Sequence, residues 1–369
     1  MGRSTLALVM LGTVLWPSNT TFAARADTPL VEAVKSHDGA GVEALLAAGI
    51  DVDAAQPDGA TALHWAVHLD DTPIVERLLL AGATVDATNE YGVTPLSVAC
   101  SNGSAPLVER LLEAGADPNL ARPTGETPLM RAAATGSVRA VDALVAHGAD
   151  VNRADPGRGQ TPLMWAISAR RPDVAARLLA HGAEVLARSA GGFTPLLFAA
   201  REGDAATARL LLAAGADVHD AMEDDTSTLH VATVRGHAGT AILLLEHGAD
   251  PNLAGPGYTP LHWAAGSWQT ELSGPNGIAT DRDHEWRGLR GVPGDKVRLV
   301  RALLDHGADP DARLDRIPPR AGYSQLRVEH RVAGVSPFPG ATPFLLAAMA
   351  ADVEVMRVLA EAGADPNRT

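Results

Sequence analysis

Cysteine is almost missing: Cys100 stands alone in 369 residues. A lone cysteine excludes an internal disulfide framework and any zinc site built on thiolates. Aromatic residues are scarce at 4%, and Ala, Leu and Gly carry the apolar content. Such a composition suits small helices packed closely and argues against a β-sandwich rich in Tyr and Val. Positive charge is in deficit, 30 Lys and Arg against 44 Asp and Glu, a formal −14. A field of that sign repels a phosphate backbone, so nucleic acid is not an expected partner. Hydrophobicity is not lacking: at 46% it supplies a core and excludes wholesale disorder.

Long apolar runs are missing except at the amino end, where Leu6 to Leu15 is broken only by Gly12 and Thr13. Arg3 precedes this run, and Ala24-Arg25-Ala26 offers small residues at a cleavage point before Asp27. Residues 1–26 therefore read as a signal peptide, which predicts export to a periplasmic or extracellular compartment. The run falls short of the roughly 20 residues a membrane span needs, so no membrane insertion is expected after cleavage. The competing reading is an uncleaved anchor. Residues 1–26 contain two arginines and no acid, so the mature chain would hold 28 Lys and Arg against 44 acids, a formal −16.

Residues 27–369 repeat themselves. Thr28-Pro29-Leu30, Thr94-Pro95-Leu96, Thr127-Pro128-Leu129, Thr161-Pro162-Leu163, Thr194-Pro195-Leu196 and Thr259-Pro260-Leu261 recur with variants at Leu63, Leu229 and Phe344. The first eight anchors are spaced 32 to 34 residues apart. A glycine follows each anchor by 19 residues in eight of nine units, from Gly49 to Gly363. Two anchors locked in phase exclude chance similarity. Thr caps a helix with its hydroxyl, and Pro follows where its missing N–H costs nothing. Gly103, Gly136, Gly203 and Gly236 end the first helix of their units. A second helix carries Val75, Leu78 and Leu79, or Val108, Leu111 and Leu112, and closes on the 19-residue glycine in a left-handed conformation. Asp or Asn recurs four residues beyond it, as a turn demands. No unit buries both faces of its helix pair, so stability must come from stacked neighbours.

The pattern resembles the ankyrin repeat over nearly all of residues 27–369. Thr259-Pro260-Leu261-His262-Trp263-Ala264 and Leu244-Leu245-Glu246-His247-Gly248-Ala249-Asp250-Pro251-Asn252 carry the likeness most fully. The resemblance implies an all-α solenoid of about nine helix–turn–helix units with protruding β-turn fingers. It also implies a concave face, built from fingers and first helices, that contacts a partner protein. The positions so implied hold Tyr91, Asn102, Thr135, Phe193, Arg201, Glu202, Arg235 and Tyr258, with His68 toward the amino end.

Two insertions depart from the period, near 266–296 and near 312–341. The first contains Trp268 and Trp286, and the second Arg320 and Tyr323. The second is locally positive, with Arg313, Arg316, Arg320, Arg327 and Arg331 against Asp315 and Glu329. Seven of the 12 aromatics beyond residue 26 lie between Tyr258 and Phe344. Aromatic and Arg side chains anchor many recognition sites. Tyr91, Phe193, Arg201, Arg235, Tyr258, Trp268, Trp286, Arg320 and Tyr323 are accordingly the candidate partner contacts. The competing reading is that the insertion aromatics only pack their loops onto the solenoid.

Chemistry finds no footing. Eight of the 13 histidines occupy repeat slots that do not converge as metal ligands must. His284 with Asp281, Asp283 and Glu285 is a single short cluster in the first insertion and does not make a metal site. No Gly-x-Ser-x-Gly elbow and no phosphate loop occur. No catalytic residue, cofactor or metal is therefore expected. The expected function is a non-catalytic interaction scaffold. The alternative is an enzyme, or the regulatory subunit of one, with its chemistry in the insertions. The last unit keeps Val353, Val355, Met356, Val358 and Leu359 without a polar terminal layer, so the expectation is either a truncated chain or an end that docks, as on a second copy.

Overall fold

The computed structural model describes residues 28–266, 296–316 and 339–368. Eighteen helices, all short, make nine antiparallel pairs among these residues. In chain order they are α1 (Pro29–Lys35) with α2 (Gly39–Ala47), α3 (Ala62–His68) with α4 (Thr72–Leu80), and α5 (Pro95–Asn102) with α6 (Ala105–Glu113). Next come α7 (Pro128–Thr135) with α8 (Val138–Ala146), α9 (Pro162–Ser168) with α10 (Pro172–Ala180), and α11 (Pro195–Glu202) with α12 (Ala205–Ala213). The last are α13 (Thr228–Val234) with α14 (Ala238–Glu246), α15 (Pro260–Ala265) with α16 (Lys296–Asp305), and α17 (Pro343–Met349) with α18 (Val353–Glu361).

Helices this short do not persist alone in water, so each is held by its neighbours. First helices pack on first helices and second helices on second helices from one pair to the next. The anchor leucines at 30, 63, 96, 129, 163, 196, 229 and 261 are at most 1% exposed. They belong to one continuous apolar cluster that runs from Leu30 to Ala364. Truncating one, as in Leu129→Ala, removes packing on two layers at once and costs about 2–5 kcal/mol.

Local chemistry sets the boundaries. The hydroxyl of Thr94 accepts the N–H of Ser97 at 3.1 Å, and that of Thr127 accepts the N–H of Met130 at 3.2 Å. Gly103, Gly136 and Gly203 end their helices at φ of 71°, 95° and 69°. His37, Asp70, Arg170 and Ala351 take the same left-handed conformation at equivalent positions without the freedom of glycine.

The finger Asp and Asn residues do more than shape a turn, which corrects the sequence expectation. Asn119 accepts the N–H of Asp150 at 2.8 Å and donates to the carbonyl of Gly148 at 2.8 Å. Asn152 repeats both bonds to Glu184 and Gly182, and Asn252 to Asp309 and Gly307. The turn itself is made two residues earlier, where Asp117 accepts the N–H of Asn119 and Asp150 that of Asn152. A ladder of side-chain bonds thus ties finger to finger. Leu186 and His219 stand where its next two rungs would be.

The insertions fall at defined places. The first separates Ala265 of α15 from Lys296 of α16, yet the two helices still pack as a pair. The ends of the second are fastened together: Leu314 N–H donates to Ala341 at 3.0 Å, and Gly340 N–H to Leu314 at 2.6 Å. Around them lies a second apolar cluster of Val234, Tyr258, Leu314, Ala341 and Leu346, against which Trp263 and Leu345 pack.

Candidate protein-recognition surface

One slot, two residues after each anchor, reaches the finger of its own unit in the second and fourth pairs. It holds Trp65, Arg131, Trp165, Phe198 and Trp263 in their respective units. The contacts fix its direction. Trp65 Nε1–H donates to the finger residue Gln56 at 2.9 Å, and Arg131 pairs with the finger residue Glu126 at 2.6 Å. Trp65, Arg131, Trp165 and Trp263 are each half-buried.

Cations lie on three of these rings. Lys35 Nζ sits 4.4 Å from the Trp65 centroid, Arg131 lies 5.8 Å from Trp165, and Arg201 lies 4.5 Å from Phe198. Each contact is worth about 0.5–1 kcal/mol where solvent reaches it. In the first two the cation comes from a preceding unit and the ring from the next, so the surface is also a clasp between layers. The slot could have been found by extending the 33-residue register two places past each anchor leucine.

The predicted contact residues divide into three groups. Tyr91 stands at a finger tip and is 61% exposed. Its hydrogen bond to the Glu90 carboxylate, with that charge beside it, raises the phenol pKa. Arg201 and Arg235 are half-buried at the ends of α11 and α13, and Arg201 also bonds Glu202 at 3.0 Å. Phe193 and Tyr258 must be corrected: they are 1% and 6% exposed and cannot offer a ring to a partner. Phe193 turns inward against Phe198, centroids 5.6 Å apart, and Tyr258 lies between His230 and Trp263. Trp268, Trp286, Arg320 and Tyr323 lie outside the described residues, as does the His284 cluster.

Asn102 and Thr135 of the expected strip, and His237 outside it, hold the stack together. Asn102 donates its amide to the carbonyls of Val67 and His68 at 3.0 and 3.1 Å. Thr135 donates its hydroxyl to Cys100 O at 3.0 Å, and His237 Nε2–H donates to Arg201 O at 3.0 Å. These bonds satisfy helix-end carbonyls of the preceding pair, groups that a helix leaves unpartnered. Cys100 itself is buried, and burial pushes its thiol pKa up, so it is a poor nucleophile.

Histidine plays the same structural part on the buried side. His64 Nε2–H donates to Val93 O at 2.9 Å, and its Nδ1 accepts the Thr61 N–H at 3.2 Å. His262 repeats this between Ala312 O and Thr259. Burial, working against these backbone bonds, pushes the pKa of His230 and His262 down to about 4. The finger base at Asp220 is also closed off: its carboxylate is buried and accepts from Arg188 and from the Thr194 hydroxyl.

Acid concentrates elsewhere, in the fingers, at Asp51, Asp117, Asp150, Asp217 and Asp250 among others. Among the described residues no three His, Cys, Asp or Glu side chains gather as metal ligands. No described helix is long and apolar enough to cross a membrane.

Comparison with known proteins places the pattern. The family described as "Ankyrin repeats (3 copies)" matches residues 30–122, 70–155, 96–189, 153–222 and 196–272. The single "Ankyrin repeat" description matches residues 340–369. No curated protein matches the chain significantly. Among solved structures, the human ASB11 ankyrin repeat domain is 28% identical with a TM-score of 0.54, over 60% of this chain and 99% of that one. The ankyrin repeat domain of Bcl-3, described as a unique member of the IkappaB protein family, is 30% identical with a TM-score of 0.52. That likeness covers 56% of this chain and 95% of that one.

Proposed function

The chain belongs to the ankyrin repeat family, and from that premise we propose that it is a non-catalytic scaffold. It holds a partner protein against its fingers and first helices, in an extracytoplasmic compartment. Ankyrin repeats generally mediate protein–protein interaction. One observation carries the finer reading: the repeated slot holds half-buried Trp65, Trp165 and Trp263, with Tyr91 exposed at a finger tip. Large rings held rigidly beside water contribute contact area at little cost in conformational entropy. The leader-like residues 1–26 support export.

Quantitative capture from the native envelope extract tests the scaffold, with Trp65→Ala, Trp165→Ala and Tyr91→Ala compared with the parent chain. A captured protein that all three variants lose at least tenfold, with circular dichroism unchanged, supports the reading. Capture indifferent to all three sinks it. Fractionation with amino-terminal sequencing tests export, and a mature chain beginning at Asp27 is the expected result.

A further inference from the structure

Three rings of the slot carry cations, and this deepens the proposed function by naming the partner's chemistry. We propose that the first-helix face takes an extended protein segment bearing carboxylate side chains. The inference rests on the scaffold reading.

Three stations define the surface: Lys35 on Trp65, Arg131 on Trp165 and Arg201 on Phe198. Each cation already has one internal acid. Lys35 bonds Glu32 at 3.3 Å, Arg131 turns its Nε and Nη2 edge to a single oxygen of Glu126, and Arg201 bonds Glu202. An ammonium offers three donors and a guanidinium five, so one such acid leaves donor capacity at every station. A ring on one side of a cation also removes water there, which strengthens an added charge-assisted bond on the other side.

Each floor station is a cation paired with one acid, neutral as a unit. The chain carries −14, but its acids crowd the fingers, while the floor presents cations stacked on rings. A basic segment would be drawn to the acidic finger tips, whereas on the floor the donors left on Lys35, Arg131 and Arg201 suit an added carboxylate. The stations fall between pairs one and two, between pairs four and five, and within pair six. At about 10 Å per layer this spans roughly 40 Å. An extended chain covers that distance in about 12 residues.

Fluorescein-labelled random Glu/Tyr and Lys/Tyr copolymers, read by anisotropy against the mature chain, test the proposal. Lys35→Gln and Arg131→Gln each remove one floor cation. Arg139→Gln removes the same charge from the second-helix side, where Arg139 is 66% exposed and pairs with Glu109. The expected result is binding of the Glu/Tyr copolymer that salt weakens. Lys35→Gln and Arg131→Gln should each reduce it at least threefold, and Arg139→Gln should leave it unchanged. Absence of Glu/Tyr binding overturns the proposal, as does equal loss in Arg139→Gln. Lys/Tyr binding that Trp65→Ala abolishes would reject the acidic preference while leaving the face a recognition surface.

Discussion

His230 Nε2–H donates to the backbone carbonyl of Tyr258 at 2.9 Å, so a side chain of the seventh pair holds the finger of the eighth. The donation fixes the tautomer. Nδ1 must then be the acceptor, and it faces the Ser227 hydroxyl at 2.8 Å. A proton on Nδ1 would remove that acceptor and place a charge in the apolar stack.

Stability should therefore fall in acid. The folded pKa of His230 and His262, about 4, lies below the unfolded value of 6.5. The unfolded chain binds more protons, so this stabilisation is present above pH 6.5 and is lost as pH falls from 6.5 toward 4. The loss approaches roughly 1.4 kcal/mol per pH unit per histidine within that window. Urea melts at pH 7.5, 5.5 and 4.5 measure it. Methionine fills the equivalent place at Met130 and Met164, so His230→Met with His262→Met should flatten the profile. An unchanged slope in that double variant would show that other groups carry the acid sensitivity.

The finger ladder makes a stabilising substitution available. Leu186 is 58% exposed where Asn119 and Asn152 make bridging bonds in other units. Leu186→Asn should add bonds to the Asp217 N–H and the Gly215 carbonyl and stabilise by about 0.5–1.5 kcal/mol. Asn152→Leu should cost about 1–2 kcal/mol by leaving the Glu184 N–H without its side-chain acceptor. Hydrogen exchange at the Asp217 and Glu184 amides reads each bond directly. Faster exchange at Asp217 in Leu186→Asn would contradict the ladder.

Backbone conformation yields a third expectation. Ala351 sits at φ 54° beyond α17, in a place glycine fills at Gly103 and Gly203. Ala351→Gly should relieve left-handed strain and stabilise by about 0.5–1 kcal/mol, net of the greater freedom of glycine when unfolded. The reverse change, Gly203→Ala, should be clearly destabilising. Its new Cβ would meet the His237 ring at 2.5 Å as well as carrying a φ of 69°. Thermal melts that order the two variants the other way would refute this account of the helix ends.

Most of the frame was legible because its signals are local. Thr94, Pro95 and Leu96 state a cap, a first turn and a core position within three residues, and Gly115 states the end. The surface was less legible because a finger has two sides and the period does not say which one a side chain takes. Phe193 and Tyr258 were read as outward, yet each immediately precedes a Thr cap that turns it under the sheltered side, where Phe198 and Trp263 wait. Asn102 and Thr135 were placed on the contact face by the family resemblance. Their actual partners are carbonyls about 35 residues back, a separation that sequence spacing alone does not reveal.

The paired bonds between Leu314 and the Gly340–Ala341 segment work like a drawstring at the neck of a bag. Whatever chain is sewn in beyond that neck, the layers on either side keep their registry. Doubling its length would add only about 0.6 kcal/mol of closure entropy. An engineer can therefore splice a reporter or an epitope into this seam at little cost in closure entropy.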